Sequence, residues 1–221
     1  ILGLAASADE PSVVKKCEEL FASIKHSEDL SADLRTSPNQ MRVKRGGDLD
    51  PDLRGTVFGT VARHGGKAEF DKLFALHNKA LLSEERVTLA AALSGFKQPK
   101  LIERSLEIIK SDDVRLQDAA YWIVYSFLNH YAKEITWQWL KDNWGWLQEH
   151  LGSAHSFFRM PIYSARAFSD KEFLKDYRQF FKSVMAPALE RSFKQGVEMI
   201  EWQSAWKKRS LKEVKTFFRA Q

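Results

Sequence analysis

Ile135-Thr-Trp-Gln-Trp-Leu-Lys-Asp-Asn-Trp-Gly-Trp-Leu147 holds four of the chain's seven tryptophans. At helical spacing Trp137, Leu140, Trp144 and Leu147 fall at i, i+3, i+7 and i+10, one apolar stripe. Trp139 lies on a second face beside Asn143 and Trp146. Two apolar faces on one helix predict a helix covered from two sides, running from about Tyr131 to His150. An aromatic platform that stacks bases or holds cations is the alternative. Basic residues are not interleaved with these rings, which weighs against it.

Outward from this stretch the chain reads as helices joined by short turns. Residues 1–6 read as the end of a helix, and Asp9-Glu10-Pro11 signals the next start. Pro51 opens a helix with Leu53, Val57 and Val61 on one face, stopped by Gly65-Gly66. Further helices are predicted from about Lys67 to Ala80, from a Ser83 cap to Gly95, and from Pro99 through Ile109. Val87, Ala90, Ala91 and Ser94 form a small-residue face on the second of these. Ser111-Asp112-Asp113 reads as a cap on a helix ending near Leu128. After Gly152 come a helix from Ser156 to Ala167, which Pro161 would kink or delay, and a capping box at Ser169–Glu172. Pro187 opens a helix to about Arg209, and a last one spans Leu211 to Arg219. Residues 26–50 hold no period and read as a long loop or insertion. Ser31-Ala-Asp-Leu-Arg35 there is echoed by Asp50-Pro-Asp-Leu-Arg54.

Almost no strand signal intervenes, and each helix pair takes roughly 30–40 residues, the period of stacked antiparallel pairs. The fold class is therefore all-α, an irregular α-solenoid, read as a single domain over 1–221. The chain opens in mid-helix without Met, so a fragment truncated at its N-terminus is expected.

Net charge is +5, with 34 basic and 29 acidic residues, and the basic residues are scattered apart from Arg42-Val-Lys-Arg45. That pattern predicts no nucleic-acid site, and no stretch reads as a membrane span. Cys17, the one cysteine, excludes an internal disulfide and sits on an apolar helix face. No two of the six histidines are four apart, so a His-Glu-x-x-His zinc motif is absent, as are phosphate-loop glycines. Asp112-Asp113 and Glu84-Glu85 lie at expected helix starts, where the dipole favours acids. No catalytic residue and no metal ligand is predicted.

Three short motifs in fixed order carry a resemblance: Leu53-Arg54-x-x-Val57-Phe58-x-x-Val61-x-x-His64-Gly65, Val114-Arg-Leu-Gln-Asp118, and Trp137-x-Trp-Leu-Lys-Asp-Asn-Trp144-x-x-Leu147. A weaker likeness runs over the whole chain, including Phe168 and Ala205-Trp206. Together they resemble the C-terminal helical domain of puromycin-sensitive-type zinc aminopeptidases, the group that includes the endoplasmic-reticulum and fungal enzymes. The resemblance implies a HEAT- or armadillo-like superhelix that walls the substrate chamber and holds the peptide's C-terminal part. Its partners would be the catalytic domain of the same polypeptide, which carries the zinc, and the peptide substrate. A cytoplasmic monomer, inactive alone, is the corresponding expectation.

Within that resemblance Arg159 is the first candidate for holding the peptide's carboxylate by charge-assisted hydrogen bonds. Lys97 and Arg115, at helix starts, are second choices. Arg54 lies in the first motif and is equally explained by an ion pair to a neighbouring helix. His64 is expected to bond a carbonyl at its helix end. The long 26–50 segment departs from the family, and Gly95 stands where relatives sometimes carry arginine. Two other readings remain: a stand-alone helical-repeat scaffold for a protein partner, and a basic nucleic-acid-binding repeat.

Overall fold

In a computed structural model, described for residues 2–24 and 49–219, the backbone is helical and contains no strand among the described residues. The predicted loop at 26–50, with its echoed Asp-Leu-Arg and its basic tract, lies outside the described residues except for its last two positions. The chain divides into two compact units, 1–132 and 133–221.

The first unit contains α1 (Leu2–Ser7), α2 (Pro11–Ser23), α3 (Pro51–His64), α4 (Lys67–Lys79), α5 (Ser83–Leu93), α6 (Pro99–Ile108) and α7 (Ala119–Leu128). Pro11, Pro51 and Pro99 each occupy a first helical position, where the missing N–H costs nothing. Asp50 caps α3 by accepting from the Asp52 N–H at 3.0 Å. A Cβ at Gly65 would press within 2.8 Å of Glu69 carbons, so only glycine allows the tight α3–α4 corner. Packing follows chain order: α2 on α3, α3 and α4 on α5, then α5 and α6 on α7. Val57, Phe58, Phe70, Leu73, Leu89, Leu93, Phe96 and Trp122 are buried between them, with Phe70 and Phe96 rings 5.2 Å apart.

Several boundaries differ from the sequence expectation. Ser83 is inside α5 rather than its cap. The buried residues of α5 are Glu85, Leu89, Ala90, Ala92 and Leu93, followed by a buried Ser94; of the predicted small-residue face Ala90 and Ser94 are buried, and Val87 and Ala91 are half-buried. Ser111–Asp113 caps no helix. It forms a turn in which Asp113 N–H donates to Ser111 Oγ, and α7 begins later, after a 3-10 turn at Leu116–Asp118. Asp9 adopts φ 56° after α1, and Glu10 stands at the N-cap position of α2 without a side-chain capping bond.

The second unit contains α8 (Lys133–Asp142), α9 (Trp144–Leu151), α10 (His155–Phe158), α11 (Met160–Ala165), α12 (Lys171–Ser183) and α13 (Pro187–Arg219). The tryptophan-rich segment is two helices rather than one. Asn143 departs from helical geometry at φ −108°, and its side chain donates to the Trp139 carbonyl at 2.8 Å. The apolar stripe survives the break, since Trp137, Leu140, Trp144 and Leu147 are all buried. It packs on α12: Trp137 meets Phe173 at 5.1 Å, and Trp144 meets Phe180 and Phe181 at 5.5 and 5.6 Å. Trp139 is buried too, whereas Trp146 is half-buried and stacks on His150.

Pro161 splits the predicted 156–167 helix into α10 and α11, with Arg159 at the joint. Asp170, not Ser169, caps α12, accepting from the Phe173 N–H at 2.7 Å. α13 runs unbroken to Arg219 because neither glycine nor proline stands near Ser210. Its last buried residue is Ile200. Beyond it Trp202, Trp206, Phe217 and Phe218 are exposed.

Candidate functional groove

The candidate site lies in the second unit, between α10–α11 and the first turns of α13. Pro161 sets it up by ending α10 and restarting the chain as α11. Three side-chain bonds then fix these elements. Ser192 Oγ donates to the Phe158 carbonyl, Tyr177 Oη donates to the Pro161 carbonyl at 3.0 Å, and Gln203 Nε2 donates to the Ala165 carbonyl at 3.1 Å. Burial pushes the Tyr177 hydroxyl far above its ordinary value, so it stays a neutral donor. Gly196 lets α13 approach, because a Cβ there would overlap the Tyr177 hydroxyl.

The resulting groove encloses about 580 Å³. Arg159, Arg166, Arg191 and His155 line it, and no acidic residue does. Phe158, Ile162 and Met199 supply an apolar floor. Arg159 is half-buried, with its guanidinium carbon 5.9 Å from the Tyr163 ring, while Arg166 and Arg191 are exposed. Glu190, next to Arg191, is taken by Lys194 at 2.7 Å, and that bond holds its carboxyl below the usual range. A groove with guanidinium forks over an apolar floor can bind a carboxylate carried on a partly apolar ligand.

The four candidate residues from sequence fall in both units. Arg159 lies in this groove; Arg54, Lys97 and Arg115 belong to the first unit. Arg54 is buried and donates to Glu85 Oε1 at 2.6 Å, so Glu85 is an interhelical ion-pair partner as well as a first-turn acid. Arg115 Nε donates to Asp118 at 2.6 Å, and its Nη1 donates to Ser83 Oγ at 3.1 Å. Lys97 stands over the Tyr131 ring at 5.6 Å. His64 bonds Asp9 Oδ1 at 2.9 Å rather than a carbonyl, because the left-handed turn at Asp9 brings a carboxylate to that helix end. His64, with Arg63 and Lys97 nearby, lowers the Asp9 pKa. Arg166 and Arg191 were missed in the sequence. The seven-residue step from Arg159 to Arg166, two helical turns, was the available signal.

Among the described residues no group of three or more His, Cys, Asp or Glu could hold a metal ion such as zinc. Nor is any helix among them long and apolar enough to cross a membrane. Cys17 is a buried free thiol.

The family model for the ERAP1-like C-terminal domain matches residues 1–201. Aminopeptidase M1 of Arabidopsis thaliana is 26% identical over 161 residues, 72% of this chain and 18% of that protein. Aminopeptidase N of Lactococcus lactis subsp. lactis (strain IL1403) is 26% identical over 224 residues, 97% of this chain and 24% of that protein. Aminopeptidase N of Lactococcus lactis subsp. cremoris (strain MG1363) is 30% identical over 175 residues, 76% of this chain and 20% of that protein. The chain thus spans about a fifth of the length of these curated relatives. Its helices and three sequence motifs, together with a family match over most of its length, establish that the chain belongs to the ERAP1-like C-terminal domain family.

Proposed function

We propose that this chain is the non-catalytic C-terminal domain of a zinc metalloaminopeptidase that removes N-terminal residues from peptides. In this reading it forms a solenoid wall of the substrate chamber and binds the C-terminal part of the peptide. Zinc and the bond-breaking groups belong to a catalytic domain of the same polypeptide. The family assignment and the aminopeptidase relatives support the parent activity.

The observation that carries the binding role is Arg159, half-buried in a groove lined by cations and no acid. A carboxylate entering there gains charge-assisted hydrogen bonds over a low-dielectric floor, where screening by water is reduced. Lys97, in the first unit, is a second choice in place of Arg159, while Arg54 and Arg115 form ion pairs inside the domain.

The test is a titration of the chain with an N-terminally labelled, unstructured peptide as its free acid and as its C-terminal amide. Tighter binding of the free acid, lost in Arg159→Gln, is expected. Equal binding of acid and amide by the unaltered chain would overturn the role. A stand-alone scaffold for a protein partner is the second reading, favoured by exposed Trp202, Trp206, Phe217 and Phe218 on α13. Such a scaffold would bind its partner unchanged in Arg159→Gln.

A further inference from the structure

We propose that Arg166 and Arg191 make the groove selective for peptides ending in an acidic residue, so that a second negative charge accompanies the terminal carboxylate. The inference rests on the reading that Arg159 receives that carboxylate.

One carboxylate is satisfied by one guanidinium fork. The groove supplies three guanidinium groups and an imidazole. A peptide ending in a neutral residue therefore leaves two of the groove's arginines without an anion from the ligand. A second carboxylate adds attraction to these like charges, modest because both arginines are exposed, beside the apolar side chains of Phe158, Ile162 and Met199.

Among the described residues no acidic side chain lines the groove to supply this second anion. Glu190 adjoins Arg191 in sequence yet pairs with Lys194 at 2.7 Å. Glu201, further along α13, pairs with Arg178 at 2.6 Å. The cations are also spread in a way that suits two anionic groups. Arg159 and Arg166 stand at the two ends of α11, roughly 10 Å apart along its axis at 1.5 Å per residue. Arg191 comes from the other wall, on α13. Long, flexible guanidinium arms from three backbone positions can reach two carboxylates joined by a short side chain. Both Arg166 and Arg191 are exposed, so they contribute to charge recognition without holding the core together.

The experiment titrates the chain with three labelled peptides identical except at the end: C-terminal Glu as free acid, C-terminal Gln as free acid, and C-terminal Gln as amide. The Glu acid is expected to bind roughly three- to tenfold more tightly than the Gln acid, a ratio that shrinks with added salt. Arg166→Gln or Arg191→Gln should bring that ratio toward one while the preference for Gln acid over Gln amide persists. Arg166→Lys and Arg191→Lys, which keep the charge, should retain much of the Glu preference. Equal binding of Glu and Gln acids, with Gln acid still above amide, would overturn the inference and leave the Arg159 role standing. Equal binding of Gln acid and amide would overturn that role and the inference with it. A loss of both preferences together in the Arg166 and Arg191 variants would also overturn the assigned selectivity.

Discussion

Trp137 Nε1 donates to Asp176 Oδ2 at 2.6 Å, and Lys141 Nζ reaches the same oxygen at 2.9 Å. This bond ties α8 to α12 at the edge of the aromatic cluster. Burial alone would raise the Asp176 carboxyl, but the indole N–H and Lys141 outweigh it, and its pKa is lowered. The lowered value means the ionised form stabilises the fold above the ordinary carboxylate range. That contribution is lost as pH falls through the range. Asp176→Ala should cost about 1–2 kcal/mol near neutral pH, because the charge-assisted bonds from Trp137 and Lys141 to a half-exposed carboxylate are lost. Urea unfolding monitored by tryptophan fluorescence measures it, and the difference from the unaltered chain should shrink below about pH 4.

Arg54 and Glu85 form a buried pair across α3 and α5. Arg54→Leu leaves a buried carboxylate without its guanidinium and should destabilise the first unit by roughly 3–5 kcal/mol. Replacing both residues by apolar ones of similar volume should cost far less. Chemical denaturation of the single and double variants checks the expectation; equal losses would contradict it.

His77 is buried at 1% exposure, edge-on to the Trp122 ring at 5.4 Å, and bonded through Nδ1 to Asn78. Burial holds its pKa below the ordinary histidine value. The folded state thus resists protonation while the unfolded state accepts it near pH 6.5. The unfolded state binds more protons, so stability should fall as pH drops through about 6.5. Midpoints of thermal unfolding between neutral and mildly acidic pH should show this slope. It should flatten in His77→Gln.

Gly196→Ala forces a methyl group into the Tyr177 hydroxyl and within 3.1 Å of the Pro161 carbonyl. The expected loss is about 1–3 kcal/mol through overpacking. Pairing it with Tyr177→Phe should recover part of this, because the colliding oxygen is gone. Thermal unfolding of the two variants and the unaltered chain provides the comparison.

The chain should not hydrolyse an amino-acid anilide, even with added zinc, since no cluster among its described residues fits the metal. Zinc-dependent release of the anilide chromophore by the purified chain would contradict its non-catalytic role.

Helix positions were legible because the pattern of apolar residues repeats at the helical period, and prolines mark the starts of α2, α3 and α6. The break at Asn143 was not, because the apolar stripe runs through it unchanged and the Asn143 side chain bonds back to the Trp139 carbonyl of the preceding turn. The joint at Arg159 was half legible, since Pro161 pointed to it without locating it. Arg159 could be picked out by resemblance, but its setting could not. Arg191 joins it from more than thirty residues away, through a contact that depends on Gly196 and Tyr177. The pairing of Arg54 with Glu85, across 31 residues, is likewise a tertiary fact that no local period encodes.

The most direct measurement places the peptide's end on the chain. An unstructured peptide carrying a photoreactive group beside its free C-terminal carboxylate is bound, irradiated, and the adducts mapped by mass spectrometry. The account predicts adducts on residues 155–166 and 188–199, reduced when Arg159 is changed to Gln. Adducts concentrated instead around Lys97, Arg115 and Tyr131, and indifferent to Arg159, would contradict it.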